Sequence, residues 1–285
     1  MKEKLLAALE AEAKKSTSSV FDIAVMDKDG ISSVRPTPSN YANNYYSVAK
    51  AFTTAGVLLL IDQGKIDPDE LIYPILREYF PKEHNEKWER VTVAHCIRHK
   101  MGIGEGFLDL DVEDQRTFGE EWLTYAFTKI DMPNEPGGYA VYSDGAFYIL
   151  SRIVEQVSGT ELSFFLEKNL TYPMEFRDHA WSKCPGNHAV GASGLYAAAE
   201  DGVKLGWLYV NGGRYKDKQI ISEKTIELAC ARDFGLQQVD DRGIWWKGGM
   251  NGQMLIADRK RDLAISWHTF DRDGVNDRMI DIVLA

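Results

Sequence analysis

Apolar positions follow two different periods along the chain. Residues 20–26, 243–247, 253–257 and 263–267 are short segments rich in β-branched and aromatic residues, and turn residues bound each of them. This pattern is typical of strands. Residues 31–34 follow the first of these segments across an Asp-Lys-Asp-Gly turn and are expected to form its hairpin partner. Strands are therefore predicted only towards the two ends of the chain.

Elsewhere, apolar residues recur at the three- and four-residue spacing of helices. The predicted helices cover residues 1–12, 47–63, 71–80, 93–100, 122–128, 146–157, 161–169, 198–211, 222–231 and 276–284. Residues 82–90 are highly charged and show neither period, so we interpret them as a linker. Residues 212–219 contain two glycines near one end and are expected to form a short basic hairpin.

Strands at both ends and helices in the middle favour an α+β fold with three layers, α/β/α. In this fold the N-terminal hairpin pairs with the three C-terminal strands in one antiparallel sheet, and the terminal helices cover it. Residues 1–45 and 191–285 would form the sheet domain, and residues 46–190 would form an inserted, all-helical domain. We expect the active site at the junction of the two domains.

Composition narrows the class of function. The chain has 285 residues, of which 44% are hydrophobic, and a formal net charge of −10. This negative charge argues against nucleic acid or an anionic membrane surface as a partner. No segment approaches the 18 apolar residues of a membrane span, and the N-terminus lacks the apolar core of a signal peptide. The sequence thus predicts a cytoplasmic protein and indicates no oligomeric state.

The cysteines and histidines give no sign of a metal site or a disulfide. Cys96, Cys184 and Cys230 are widely spaced and contain no Cys-x-x-Cys pair, which favours unpaired thiols in a reducing compartment. His95 and His99 have helical spacing, but no Glu follows His95 and no third ligand is evident. Neither a Gly-x-Ser-x-Gly elbow nor a phosphate-binding glycine loop is present. We therefore expect no metal and no cofactor.

The segment around Ser47 is the strongest candidate for chemistry. A polar run ends here and a long apolar helix begins, so Ser47 is predicted at a helix N-terminus with Lys50 one turn further on the same side. A hydroxyl, an amine and unpaired backbone N–H groups would then lie together, as acyl transfer requires. With 15 serines and 19 lysines, however, about one Ser-x-x-Lys is expected by chance. A Ser at this position is also a common N-cap.

Two further short motifs carry polar groups at the ends of predicted elements. Tyr142-Ser143-Asp144 precedes a predicted helix, and Lys247-Gly248-Gly249 ends a predicted strand. Each has a simpler interpretation: Tyr142 as a packed aromatic residue, Asp144 as a helix N-cap, Lys247 as a solvated lysine. Trp245 and Trp246 adjoin the third motif, and strand alternation sends one of them to the core and the other to the cleft. We take Trp246 as the candidate cleft residue.

Taken in order, the three motifs resemble the serine β-lactamase and penicillin-binding-protein superfamily. Its members carry Ser-x-x-Lys, then a Tyr- or Ser-headed triplet, then Lys-Thr-Gly or a variant. Residues 91–103, 135–137, 191–205 and 211–222 resemble further segments of the class C β-lactamase-related branch. That branch includes esterases, D-aminopeptidases and 6-aminohexanoate-oligomer hydrolases. The resemblance runs in order over about residues 40–268.

The resemblance implies a role for each matching residue. Ser47 would be the acylated nucleophile, and Lys50 would hydrogen-bond it and shuttle its proton. Tyr142 would act as base in acylation and as acid towards the leaving group. The backbone N–H groups of Ser47 and Met250 would form the oxyanion hole. The resemblance implies neither metal nor cofactor.

Three departures from the family pattern bear on the substrate. Asp144 replaces the usual Asn and cannot donate to a substrate carbonyl, but it could pair with Lys50. Gly248 lacks the hydroxyl of Lys-Thr-Gly, and Met250 replaces a small polar residue. We therefore predict a serine hydrolase of small esters or amides. A D,D-peptidase or weak β-lactamase is the alternative within the fold, and a catalytically inactive binding module is the alternative of another class.

Overall fold

The computed structural model describes all 285 residues of the chain. Its helices are α1 (Lys2–Lys15), α2 (Ala49–Asp62), α3 (Ile72–Leu76), α4 (Val93–Ile97), α5 (Trp122–Lys129), α6 (Asp144–Ser158), α7 (Leu162–Leu166), α8 (Ala199–Val210), α9 (Glu223–Arg232) and α10 (Val275–Leu284). Its strands are β1 (Ser19–Asp27), β2 (Gly30–Val34), β3 (Asn43–Asn44), β4 (His179–Trp181), β5 (Leu195–Ala197), β6 (Arg214–Tyr215), β7 (Lys218–Gln219), β8 (Gln237–Asp240), β9 (Ile244–Gly249), β10 (Gln253–Asp258) and β11 (Leu263–Phe270). None of the helices combines the length and the apolar content that crossing a membrane requires.

The chain divides into two compact units. Unit 1 comprises Met1–Val48, Thr171–Ala180 and Leu195–Ala285. Unit 2 comprises Ala49–Leu170 and Trp181–Gly194. Unit 1 contains the large sheet, and unit 2 is almost entirely helical.

The large sheet of unit 1 has six strands in the order β2-β1-β11-β10-β9-β8, and every neighbouring pair is antiparallel. The N-terminal hairpin joins the C-terminal strands through the β1–β11 pair, in which Met26 lies opposite Ala264. The predicted sheet is thereby confirmed. Strands β3 and β5 also pair, with β4 on the other side of β5, and β6 and β7 form the predicted short hairpin.

Helices cover both faces of this sheet. The face towards α1 and α10 carries an apolar core with these buried members: Leu5, Leu6, Leu9, Val20, Ile23, Val25, Ile256, Ile265, Trp267, Val275, Met279 and Val283. Helix α8 packs on the other face, where a Cβ at Gly206 would lie 2.9 Å from the carbonyl oxygen of Ile256. Only glycine allows so close an approach of helix to strand. This arrangement confirms the predicted α+β fold with three layers, α/β/α.

Helix α2 lies at the centre of unit 2. Its residues are buried without a break from Ala49 to Leu60, which explains why its sequence is apolar all round rather than on one face. A Cβ at Gly56 would lie 3.2 Å from Leu162 and 3.3 Å from Leu166, so the small residue lets α7 approach closely. The buried Thr53 and Thr54 each donate a hydrogen bond to a carbonyl oxygen.

Several details of the predicted elements are wrong. The small sheet β3-β5-β4 was not predicted, because strands were expected only in the N-terminal hairpin and the last strands of the chain. Strand β8 extends the sheet by one strand where none was predicted, because Gln237–Asp240 is a mostly polar edge strand without an apolar run. Residues 82–90 are not all linker, since Glu86–Arg90 forms a 3-10 helix that buries Trp88 completely. The helix predicted over 71–80 is also shorter: α3 ends at Leu76 and a 3-10 turn follows.

Candidate active site

In unit 1, Ser47 lies in a 3-10 turn, Tyr46–Val48, that leads directly into α2. The backbone of Tyr46 is left-handed, with φ of +46°, a conformation that is uncommon for a residue with a side chain. Its N–H donates to Oδ1 of Asn44 at 2.8 Å, and the N–H of Val48 donates to the carbonyl of Tyr45 at 3.0 Å. The turn that carries Ser47 is thus fixed on both sides.

The residue that anchors this turn is Tyr45, whose side chain is completely buried. Its hydroxyl lies 2.8 Å from Oγ of Ser266, and its ring centroid lies 4.0 Å from that of His268. A Cβ at Gly202 would lie 1.9 Å from the Tyr45 hydroxyl, so only glycine leaves room for this ring. The position of Ser47, two residues later, is tied to the sheet through Tyr45.

The end of β9 lies directly beside the Ser47 turn. A Cβ at Gly249 would lie 2.6 Å from the carbonyl oxygen of Tyr45 and 3.3 Å from the backbone nitrogen of Ser47. Real Cβ atoms do not approach a backbone oxygen so closely, so a side chain at position 249 would displace one of the two segments. The backbone of Met250 follows immediately.

A short turn after β9 holds the backbone of Met250. Asn251 and Gly252 have φ values of +62° and +86°, and a Cβ at Gly252 would lie 2.5 Å from Oγ1 of Thr269. The buried amide of Gln253 donates to the carbonyl oxygen of Met250 at 2.9 Å and to that of Thr269 at 2.8 Å. Met250 itself is 42% exposed. Its backbone is therefore fixed while its side chain meets solvent.

The other residues of the third motif lie along β9. Trp246 packs with Ile244 against the core shared with α1 and α10. Because side chains alternate along a strand, Lys247 points to the opposite face, together with Trp245. A Cβ at Gly248 would have only ordinary contacts, the nearest at 3.8 Å. The packing of Trp246 against this core favours a structural role for its side chain rather than the contact with substrate that the sequence suggested.

In unit 2, the side chain of Lys50 is buried beside that of Asp144. The ammonium nitrogen lies 2.7 Å from Oδ1 of Asp144 and donates to the carbonyl oxygen of Ala192 at 2.9 Å. Burial raises the pKa of the Asp144 carboxyl above its ordinary value, and the charge of Lys50 opposes that rise. The second and first motifs of the sequence therefore meet in this ion pair.

Tyr142 lies next to Lys50, and its side chain is half exposed. The ammonium nitrogen of Lys50 is 4.8 Å from the centroid of the Tyr142 ring, within range of a cation–π interaction. The ring of His99 lies against it, with centroids 4.5 Å apart. A Cβ at Gly106 would lie 2.5 Å from the carbonyl oxygen of Tyr142, so the neighbouring loop also packs on its backbone. The ring of Tyr142 therefore packs against that of His99, while about half of the surface of Tyr142 is exposed to solvent.

The two histidines that have zinc-like spacing have other contacts. Nδ1 of His95 accepts the backbone N–H of Thr92 at 3.2 Å, which completes a capping box at the start of α4. Nδ1 of His99 accepts the N–H of Ser143, also at 3.2 Å. His99 therefore supports the second motif directly, a part that its position in the sequence did not reveal.

Two further carboxylates lie beside the ion pair. One oxygen each of Asp109, Asp111 and Asp144 lie within 4.8 Å of one another. Oγ of Ser193 donates to Asp111 at 2.9 Å, and burial raises the pKa of the Asp111 carboxyl. Three carboxylates this close together could bind a cation. The ammonium group of Lys50 already provides a positive charge beside Asp144. Asp109 and Asp111 were not among the predicted site residues, although the acidic crowding of residues 105–121 was visible in the sequence.

Solved structures of similar fold cover nearly the whole chain. A candidate 6-aminohexanoate-dimer hydrolase from Bacillus anthracis aligns with a TM-score of 0.77 and 16% identity, over 99% of this chain and 80% of that one. EstCE1, described as a hydrolase with promiscuous acyltransferase activity, aligns with a TM-score of 0.75 and 14% identity, over 99% of this chain and 98% of that one. At these identities the similarity shows the fold.

Sequence comparison gives one curated relative and one family. An N-acetylmuramyl-L-alanine amidase of Bacillus subtilis (strain 168) is 24% identical over 179 residues, which is 59% of this chain and 35% of the amidase. The chain thus spans about a third of the length of that relative. The profile of the β-lactamase family matches residues 25–283. The chain therefore belongs to the β-lactamase family of hydrolases.

Proposed function

We propose that the protein is a serine hydrolase that cleaves small esters or amides through an acyl-enzyme on Ser47. The observation that carries the proposal is the buried ammonium of Lys50, three residues after Ser47, with Asp144 at 2.7 Å and the exposed ring of Tyr142 beside it. Residues from two distant motifs contribute to this cluster.

In the proposed mechanism, Oγ of Ser47 forms a bond to the carbonyl carbon of the substrate. Its proton passes by way of Lys50 to Tyr142, and Tyr142 gives a proton to the departing alcohol or amine as the bond to that group breaks. Water then attacks the acyl carbon, the bond from that carbon to Oγ of Ser47 breaks, one proton of the water passes to Oγ, and the acid leaves. Asp144 would hold the side chain of Lys50 in one position throughout.

The oxyanion hole of the proposed site consists of the backbone N–H groups of Ser47 and Met250. The support comes from Gly249, which brings the end of β9 against the backbone of Ser47, and from Gln253, which holds the turn at Met250. Donors fixed in advance stabilise a developing oxyanion better than donors that must reorganise. This arrangement would serve any acyl substrate, so it does not by itself select one.

Two features favour esters and small amides over β-lactams and D,D-peptides. Asp144 accepts hydrogen bonds only, and it is engaged by Lys50, so it offers no donor to a substrate carbonyl. Gly248 supplies no hydroxyl beside Lys247 to hold a substrate carboxylate. A D,D-peptidase or weak β-lactamase remains the second candidate.

Covalent labelling tests the nucleophile. The wild-type protein, Ser47→Ala and the exposed-serine control Ser39→Ala are incubated with a fluorophosphonate or a penicillin, and the intact mass of each is measured. We expect an adduct on wild type and on Ser39→Ala, and none on Ser47→Ala. An equal adduct on Ser47→Ala would disprove the role of Ser47. Failure of every probe to label wild type would instead favour a non-catalytic binding module.

A turnover screen tests the substrate class. p-Nitrophenyl esters, D-amino-acid amides and nitrocefin are compared at equal enzyme concentration. Faster turnover of the esters or amides is expected, because the site lacks the donors that hold a β-lactam. Efficient hydrolysis of nitrocefin would reverse the ranking.

A further inference from the structure

The exposure of the methionines is very uneven. Of the eight methionines, only Met1 and Met250 are substantially exposed, at 69% and 42%. The other six are at most 6% exposed: Met26, Met101, Met132, Met174, Met254 and Met279. Oxidation of a thioether requires contact with the oxidant, so Met250 is the accessible methionine within the folded structure.

The thiols do not compete for an oxidant. Cys96, Cys184 and Cys230 are all buried and unpaired. Burial raises the pKa of the Cys96 thiol well above its usual range and that of Cys230 to about 11. Because the thiolate is the reactive form, these two cysteines react slowly at neutral pH. The exposed thioether of Met250 is therefore the first sulfur after Met1 that a dissolved oxidant meets.

The surroundings of Met250 make its oxidation consequential. The residue follows Gly249, whose backbone lies against that of Ser47, and Gln253 holds its carbonyl oxygen at 2.9 Å. The turn after Met250 is also held by the sheet, because the indole N–H of Trp267 donates to the carbonyl oxygen of Gly252 at 3.0 Å. A polar group formed on this side chain thus stays beside the nucleophile turn.

We propose that Met250 is an oxidation site through which peroxide switches the enzyme off, an inference that rests on the proposed function of Ser47. Hydrogen peroxide transfers one oxygen to Sδ: the O–O bond breaks, sulfur loses two electrons, and water leaves. Two thiols reverse the reaction, removing the oxygen as water and forming a disulfide between themselves. The product places the negative end of an S–O dipole near the N–H group of Met250, where it opposes the negative charge of the developing oxyanion.

The test combines peptide mapping with activity. Wild type, Met250→Leu and the buried-methionine control Met254→Leu are treated with hydrogen peroxide, and ester hydrolysis is expressed relative to each untreated protein. We expect Met250 to gain about 16 Da at least about tenfold faster than the six buried methionines, and wild-type activity to fall about tenfold in step. Met250→Leu should keep most of its own untreated activity, while Met254→Leu should lose it as wild type does. Methionine sulfoxide reductase should restore wild type.

Different outcomes separate the parts of this inference. Slow oxidation of Met250, or full activity after its complete oxidation, would overturn it, and so would equal inactivation of Met250→Leu. Oxidation of Met1 serves as an internal reference, because it reports oxidant exposure independently of the site. Absence of any ester or amide hydrolysis before treatment would refute the proposed function and the switch together, while the mapping would still decide whether Met250 is the oxidised residue.

Discussion

The buried side chain of Lys50 has three kinds of neighbour: a carboxylate, a carbonyl oxygen and a phenol ring. Two of its three N–H donors go to Asp144 and Ala192, at 2.7 and 2.9 Å, so the ammonium is held in one position. The ammonium nitrogen also lies 4.8 Å from the centroid of the Tyr142 ring, within range of a cation–π interaction. At the scale of the residue, Lys50 therefore joins the carboxylate of Asp144 and the ring of Tyr142 in one cluster, and the proposed mechanism uses the Tyr142 hydroxyl for proton transfer.

Tyr142→Phe tests this residue-scale interpretation. The substitution removes only the hydroxyl group. Because the residue is 51% exposed, the fold should persist. If Tyr142 transfers the proton, ester hydrolysis should fall by about a hundredfold or more. The control is Tyr139→Phe, since Tyr139 is 80% exposed on the same loop. Steady-state kinetics of both variants, with circular dichroism to check folding, provide the measurement; equal rates for the two variants would remove Tyr142 from the mechanism.

At the scale of elements, the third motif contacts the Ser47 turn through its backbone. Strand β9 ends at Gly249, and its lack of a Cβ allows the strand to approach the Ser47 turn. The preceding residue, Gly248, has room for a Cβ. Close packing therefore requires a glycine at position 249 but not at position 248. Replacing each glycine with alanine tests this difference.

Gly249→Ala should slow acylation of Ser47 much more than Gly248→Ala does. The added Cβ would lie 2.6 Å from the carbonyl oxygen of Tyr45 in the first variant, whereas its nearest neighbour in the second is 3.8 Å away. Overpacking of this kind costs about 1–3 kcal/mol, enough to displace the turn. Rates of fluorophosphonate labelling followed by mass spectrometry give the comparison. A larger loss in Gly248→Ala would show that β9 acts in some other way.

The sequence predicted elements wherever a clear period or a turn signal was present. Strands β1, β10 and β11 have long apolar runs between turn residues and were predicted within a few residues. Strand β8 was missed because an edge strand needs few apolar residues, and the 3-10 helix at Glu86–Arg90 because Trp88 is its one large apolar residue. Elements stabilised by tertiary contacts leave little trace in local sequence.

Prediction of the candidate site from the sequence has the same limit. Ser47, Lys50 and Tyr142 were predicted as site residues because each belongs to a recognisable motif. Asp109 and Asp111 lie in a loop without a motif, and only the fold brings them to Asp144. Their positions depend on loop geometry, which spacing along the chain does not encode.

At the scale of the whole molecule, two carboxylates tie the segments near the two ends of the chain together. Asp273 accepts hydrogen bonds from Ser16 and Ser18, which lie between α1 and β1. Asp271 accepts the backbone N–H groups at the start of α10, among them that of Gly274 at 2.8 Å. Burial alone would raise the pKa of Asp271, but these N–H groups outweigh it and the pKa lies below its ordinary value.

Asp271→Ala should destabilise the protein at neutral pH but not in strong acid. A carboxyl whose pKa is lowered by folding stabilises the native state above its unfolded pKa, about 3.9, and this contribution disappears as pH falls through the folded pKa. Loss of such a helix cap costs about 1–2 kcal/mol. Urea unfolding at pH 7 and near pH 2 measures both values, with the exposed Asp281→Ala on the same helix as control. A deficit that does not change with pH would exclude the carboxylate as its origin.

The pairing of β1 with β11 has a consequence for folding during synthesis on the ribosome. The first and last strands of the large sheet are direct neighbours in its interior, while nearly the whole chain lies between them in sequence. During synthesis the N-terminal hairpin must therefore wait, with the edge of β1 unpaired, until β11 has left the ribosome. Helical segments with local contacts can form earlier. Nascent chains are consequently exposed to edge-to-edge aggregation while the segment between β1 and β11 is being synthesised.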